Sequence, residues 1–470
     1  MRTKIIATLG PSSEDEEIVE KMIIEGVSCL RVNCAHGDPD IWRNRVKIVN
    51  RASSSIGKVV SVMFDIPGPQ VRTGSFEEKI VEAGEKIRFV LGESSDKGEI
   101  PLPNRFFFNS VSLGDIILYG DGEATLRVVS VEPGIVECIA VVDSVLRPGK
   151  KVVIQGKELD LPYLSERDRL ALDSAIENNV CFIALSYVRS SVDISIVRNY
   201  LSRRGCESNL LVKIETKSSV EKLREIIAES DGVIIARGDL GLFLPLEEIP
   251  VIQKRIVEEA LIMNKPSIVA TEVLESMIRN PRPSRSDVVD LYNLIYSMVD
   301  AILLTNETAV GKYPVETVKW ARKIIEAAER SIPKTIVSEA RSRIIEKTLL
   351  EKYVKGLVLL AESLNGVIVD YSLTGKVPSY MFRYRPQIPV YIGSRSRRVL
   401  EKYTITYGVE PVLIEEVVGE NEYEKGVELL YETLKIKGFL KPGDIVIKAY
   451  AKTREGIHEI KIEEVYEIKL

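Results

Sequence analysis

A lysine and a glutamate stand two residues apart at Lys213 and Glu215, and an aspartate follows in Arg237-Gly238-Asp239. The first pair closes the apolar run Leu210–Ile214, and the second group follows the apolar run Gly232–Ala236. Two carboxylates supply hard oxygens that suit Mg²⁺ or Mn²⁺ and not zinc. A lysine beside them would stabilise an anion facing the same cation. Taken alone, two surface ion pairs at loop starts explain these residues better. Their place in the chain decides between the two.

The elements that must position them recur with a regular rhythm. Eight short apolar runs are each followed by a helix-length amphipathic segment. They are Lys4–Leu9, Ser28–Val32, Val59–Phe64, Cys181–Ser186, Leu210–Ile214, Gly232–Ala236, Pro266–Thr271 and Ala301–Thr305. Near-continuous apolar strands alternating with helices predict a parallel sheet covered on both faces. Eight such units are the number that closes a (β/α)₈ TIM barrel. An open doubly wound sheet predicts no such count, and it favours a glycine-rich first turn where Gly10-Pro11-Ser12-Ser13 stands. The rhythm breaks over 75–150, where strand-like runs separated by Gly, Asp and Pro predict an inserted all-β domain. After 332 a second α/β block runs to the end. The expected domains are therefore 1–74 with 151–332, then 75–150, then 333–470.

Composition narrows the function. The 470 residues carry 64 basic and 69 acidic side chains, a net charge of −5, so no basic footprint for nucleic acid exists. No apolar run is long enough for a bilayer, and the N-terminus lacks a signal-peptide pattern. Five scattered cysteines without CxxC spacing point to a reduced cytoplasm and no zinc site. Two histidines, His36 and His458, leave little scope for His-based metal or proton chemistry. Four glutamines against abundant Glu, Lys and Arg match the bias of hyperthermophile proteins.

In a TIM barrel the chemistry sits at the carboxyl ends of the strands. There fall Thr8, Arg31 with Asn33, Asp65, Ser186, Lys213 with Glu215, Arg237 to Asp239, Thr271 with Glu272, and Thr305 to Glu307. Helix capping explains any one of these, but not so many strands together. Arg31 and Arg72, read as cations at neighbouring strand ends, are of the kind that fork onto phosphate oxygens. Amides after the turn expected at Ala236 to Asp239 suit a carboxylate, and Gly238 allows close approach. Thr271 offers a hydroxyl. The parts describe a small anionic substrate with a phosphate and a carboxylate, and stabilisation of an enolate during phosphoryl transfer.

These residues resemble the pyruvate kinase family. The motifs are Arg2-Thr3-Lys4 through Gly10-Pro11, Arg31 through Gly37, Asp65 through Gly74, Lys213-Ile214-Glu215, Ala236 through Gly241, Ala270 through Arg285, and Glu307 through Pro314. A weaker match continues through 384–386, 407–411 and 441–444. The resemblance implies a barrel with a small β-barrel lid domain inserted after strand 3 and a C-terminal α/β domain. It implies a Mg²⁺-dependent (or Mn²⁺-dependent) kinase making pyruvate and ATP from phosphoenolpyruvate and ADP, as an allosteric homotetramer. Carried over, Glu215 and Asp239 hold the metal, Lys213 stabilises the transition state, and Arg31 and Arg72 contact phosphates. Gly238, Asp239 and Thr271 hold the phosphoenolpyruvate. Asn33, His36, Arg72 and Lys151 contact the nucleotide, and Asp121 lies in the lid near the closed site.

The departures are informative. The family's monovalent-cation site keeps Asn33 and Asp65 here, but its Ser and Thr are Ala35 and Ile66, and Gln70 stands where an acid is usual. We therefore expect no requirement for K⁺. Glu272 and Asn306 replace a neutral amide and a glycine without removing a metal ligand. The turn Ser372-Leu373-Thr374-Gly375-Lys376 lacks the usual second hydroxyl cluster for a sugar bisphosphate effector. The alternatives are a Mg²⁺-dependent enolate-forming lyase on a similar barrel, and a non-catalytic metabolite sensor. The first needs neither the lid, Lys151 nor the C-terminal block. The intact Lys213, Glu215 and Asp239 argue against the second.

Overall fold

The computed structural model describes residues 1–95, 98–120, 122–415, 417, 421–451 and 458–466. Eight parallel strands close into a barrel in chain order. They are β1 (Lys4–Leu9), β2 (Val27–Asn33), β3 (Ser61–Ile66), β4 (Phe182–Leu185), β5 (Asn209–Ile214), β6 (Gly232–Ala236), β7 (Ser267–Ala270) and β8 (Ala301–Leu304). Side chains alternate across the barrel wall, as a two-residue period requires. Ile6, Cys29, Met63, Ala184, Leu211 and Ile234 pack together inside. Ile5, Ala7, Leu30, Phe64 and Ile235 pack with the surrounding helices. Helix starts are fixed by side-chain caps: Asp15, Asp38, Ser165, Thr216 and Ser284 each accept from a first-turn amide.

The insertion leaves the barrel after β3. It forms a six-stranded and a two-stranded sheet around its own core, which includes Phe89, Phe107, Tyr119 and Leu126. A short helix at Arg105–Ser110, unseen in the sequence, completes it. Its two connecting segments bridge at Arg72 and Lys151. There Thr73 N–H donates to the Lys150 carbonyl at 2.9 Å. Asp121 lies outside the described residues.

The C-terminal block is a five-stranded sheet, parallel except for its last strand, His458–Glu464. One strand, Val409–Leu413, was not apparent from the sequence because Glu410-Pro411 interrupts the apolar run. It is an edge strand, where proline's missing N–H is tolerated. This block caps the amino-terminal end of the barrel. Ile405 packs among the barrel's interior residues, and the hydroxyls of Ser61 and Thr404 bond across the junction at 2.5 Å. Arg385 forms a fully buried ion pair with Asp300, just ahead of β8.

Candidate active site

At the carboxyl ends of the strands, the barrel converges charged groups that no single segment could bring together. Adjacent strands β5 and β6 pair Lys213 with Ile234 and carry Glu215 and Asp239 past their ends. Glu215 is completely buried. Its Oε1 accepts from the Tyr187 amide at 2.6 Å. Its Oε2 has no hydrogen-bond donor, and Lys213 Nζ lies 3.1 Å away. Burial pushes the Glu215 carboxyl up to about 7; Lys213 pulls it back, and the charge of Asp239 adds to the rise. Burial disfavours the Lys213 ammonium, but Asp65, Glu215 and Asp239 outweigh it, so its pKa is raised and it stays charged. Burial likewise opposes ionised Asp239, yet Lys151 and Lys213 hold its pKa below the ordinary value.

Asp239 Oδ1 accepts from Lys151 Nζ at 2.6 Å and from Tyr187 Oη at 3.2 Å. Tyr187 therefore grips both carboxylates, one through its amide and one through its phenol. It follows β4 in the left-handed region, at φ 55°. Nothing in its type or spacing marked it in the sequence. Two carboxylates, one of them completely buried with the Lys213 ammonium as the neighbour of its second oxygen, would fit a hard divalent cation.

Asp65 anchors the other side. Its Oδ2 accepts from Arg31 Nε at 2.7 Å, and its Oδ1 from Ser186 Oγ at 3.2 Å. Ser186 in turn accepts from Lys213 Nζ at 3.0 Å, while Arg31 Nη1 reaches Thr8 Oγ1 at 3.1 Å. Both Asp65 oxygens are thus engaged by this protein's own donors. Asn33 Oδ1 accepts from the Ala35 amide at 3.0 Å. Ala35 and Ile66 offer no side-chain oxygen beside them.

Thr271 follows β7, and its Oγ1 accepts from the Gly238 amide at 2.8 Å. The expected turn at 237–239 is instead the start of a helix, Arg237–Phe243, whose two glycines disguise the helical pattern. Past β8, Glu307 is buried and pushed up to about 7 by burial, although the Thr305 hydroxyl donates to it at 3.1 Å. Arg72 is not at a strand end as expected. It lies six residues beyond β3 on the connection to the insertion, where its guanidinium bonds Gln70 Oε1 and the Gly149 carbonyl. His36 is exposed; partial desolvation lowers its pKa, and the charges of Arg72, Arg167, Arg31 and Arg45 lower it further. Arg72 is linked to the Lys213 cluster through Lys151, its bridge partner, which bonds Asp239.

A closed (β/α)₈ barrel with two carboxylates and a charged lysine at its mouth is the arrangement of an enzyme that handles anions. Comparison with known proteins narrows this further. Residues 1–318 match the barrel domain of pyruvate kinase and residues 352–458 its alpha/beta domain. The chain is 38% identical to the pyruvate kinase of Aeropyrum pernix over 98% of both chains. It is 36% identical to that of Pyrobaculum aerophilum, over 98% of this chain and 96% of the relative. The crystal structure of pyruvate kinase from Pyrobaculum aerophilum superposes with a TM-score of 0.85 at 34% identity, covering 98% of this chain and 99% of that one. The chain belongs to the pyruvate kinase family and is a phosphotransferase. The lyase alternative falls, since the match runs through the C-terminal block that a lyase would not need. No helix among the described residues is long and apolar enough to cross a membrane.

Proposed function

We propose that this protein transfers the phosphoryl group of phosphoenolpyruvate to ADP, with Glu215 and Asp239 holding Mg²⁺ or Mn²⁺. The observation that carries the reading is the buried Lys213–Glu215 pair, with Asp239 and Thr271 at neighbouring strand ends. When bound, the cation supplies positive charge to phosphoryl and enolate oxygens. Lys213, charged at neutral pH, faces the oxygen that becomes the enolate as its bond to phosphorus breaks and an ADP oxygen bonds in its place. Arg31, oriented by Asp65, holds the transferred group. Gly238 and Asp239 seat the carboxylate, and the Thr271 hydroxyl faces the carbon that takes a proton to give pyruvate. Asn33, His36, Arg72 and Lys151 contact nucleotide phosphates as the insertion closes as a lid.

K⁺ is not required, because Arg31, Ser186 and the Ala35 amide engage the two remaining candidate oxygen donors. Severalfold activation by K⁺ at fixed ionic strength would refute this. We take the domains as 1–74 with 151–332, 75–150 and 333–470, in a cytoplasmic homotetramer. The deciding assay measures ATP formed from phosphoenolpyruvate and ADP with Mg²⁺. Lys213→Met is expected to lower kcat by about 10²–10³-fold. No ATP from the wild type would overturn the function, and equal rates would overturn the role of Lys213.

A further inference from the structure

Thr271 is held in a conformation its side chain disfavours. Thr271 (φ 68°) and Glu272 (φ 53°) are successive non-glycine residues in the left-handed region, and Leu274 (φ 58°) is a third. A β-branched residue persists there only when its surroundings over-determine it. The constraint is visible. Arg237 Nε and Nη2 donate to the Thr271 carbonyl at 3.3 and 2.9 Å, and Nη2 also donates to the Glu272 carbonyl at 2.8 Å. Arg237 Nη1 donates to both oxygens of Asp290 at 2.9 Å. All three guanidinium nitrogens are therefore engaged. From the next residue along, the Gly238 amide holds the Thr271 hydroxyl oxygen. Two consecutive residues after β6 thus grip Thr271 at its carbonyl and at its side chain. That leaves the hydroxyl proton to be donated elsewhere.

Asp290 fixes the outer end of this arrangement. It lies on the helix Arg285–Tyr296, which follows β7 in the chain. The Arg237 side chain is 11% exposed and that of Asp290 39%. A guanidinium is a rigid planar fork, so fixing Nη1 fixes the direction of Nη2 and Nε. We propose that Asp290 is a positioning residue for the reaction. It sets the plane of Arg237, Arg237 sets the strained turn, and the turn sets where the Thr271 hydroxyl points. The proposal rests on the reading of Thr271 as the group facing the enolate. An ion pair that merely anchored the helix would change stability without changing the rate at saturating substrate.

A double-mutant cycle separates the two. Steady-state kinetics with phosphoenolpyruvate and ADP would be measured for wild type, Asp290→Ala, Thr271→Ala and the double variant, with thermal unfolding alongside. Asp290→Ala is expected to lower kcat by about 10–100-fold, the scale for misplacing a reacting group by an ångström, with far less change in KM. In the Thr271→Ala background the same change is expected to lower kcat no further. Asp290→Asn, which keeps one acceptor for Nη1, is expected to fall between. Wild-type kcat in Asp290→Ala with an impaired Thr271→Ala would overturn the proposal and leave the reading of Thr271 standing. Multiplying losses in the double variant would also overturn the proposal. Wild-type kcat in Thr271→Ala would overturn both. If Asp290→Ala does not fold, Asp290→Asn and its cycle with Thr271→Ala decide the matter by the same criteria.

Discussion

Neutralising Arg385 is expected to loosen the joint between the C-terminal block and the barrel by an amount the contacts let us work out. Neither partner of the Arg385–Asp300 pair has any side-chain exposure. Asp300 Oδ1 accepts from Arg385 Nη1 at 2.6 Å and the Tyr407 amide at 3.1 Å. Its Oδ2 accepts from Arg385 Nη2 at 2.8 Å and the Ser267 amide at 3.0 Å. Arg385→Met leaves a buried carboxylate with backbone donors but no counter-charge, which costs about 3–5 kcal/mol. At about 2 cal/mol/K per residue, unfolding 470 residues as one unit carries an entropy of roughly 1 kcal/mol/K, so the midpoint falls by about 3–5 °C. Adding Asp300→Asn removes the stranded charge while keeping an acceptor for an amide. The double variant is therefore expected to melt above Arg385→Met, a sign reversal that scanning calorimetry detects. A double variant that melts lower still, with the two losses adding, would refute the claim that the stranded charge is what hurts.

Three further outcomes are expected. Tyr187→Phe removes one donor to Asp239 and spares the amide bond to Glu215; the Mg²⁺ concentration for half-maximal activity should rise about tenfold, and an unchanged value would count against Tyr187 as an orienting group. Gly238→Ala places its Cβ 3.5 Å from Thr271 Oγ1, an ordinary contact, so the midpoint of unfolding should hold while kcat/KM for phosphoenolpyruvate falls. Burial, with Oδ2 lacking a partner, pushes the Asp370 carboxyl from 3.8 up to about 8. The unfolded chain releases this proton from about pH 4, whereas the folded chain keeps it to about 8, so the group withdraws stability progressively across that window. Asp370→Asn should therefore melt increasingly above wild type as pH rises from 4 to 8, and a gap independent of pH would contradict the assignment.

The order of elements was legible because apolar runs and caps are local signals. Each barrel strand is buried on both faces, so each reads as a continuous apolar run, and eight of them imply closure. Lys213, Glu215, Asp239, Arg31, Asp65 and Thr271 stood out in the sequence because polar residues at the ends of so many apolar runs exceed what helix capping alone explains. Tyr187 and Asp290 did not, since a tyrosine and a helix-surface aspartate carry no such signal. Their roles exist only through atoms brought from 28 and 53 residues away. Asp65 shows the difference most plainly: its type stood out in the sequence, but that Arg31 and Ser186 engage its two oxygens is visible only in the fold.

By itself, then, the sequence determined the fold class, the family and the identity of the charged groups at the barrel mouth, because periodicity and residue type are properties of short stretches. Only the tertiary structure decided which charge faces which. Parallel strands place residues far apart in sequence within hydrogen-bonding distance, and burial there changes the chemistry of the group, lifting Glu215 to about 7 while Lys213 stays charged.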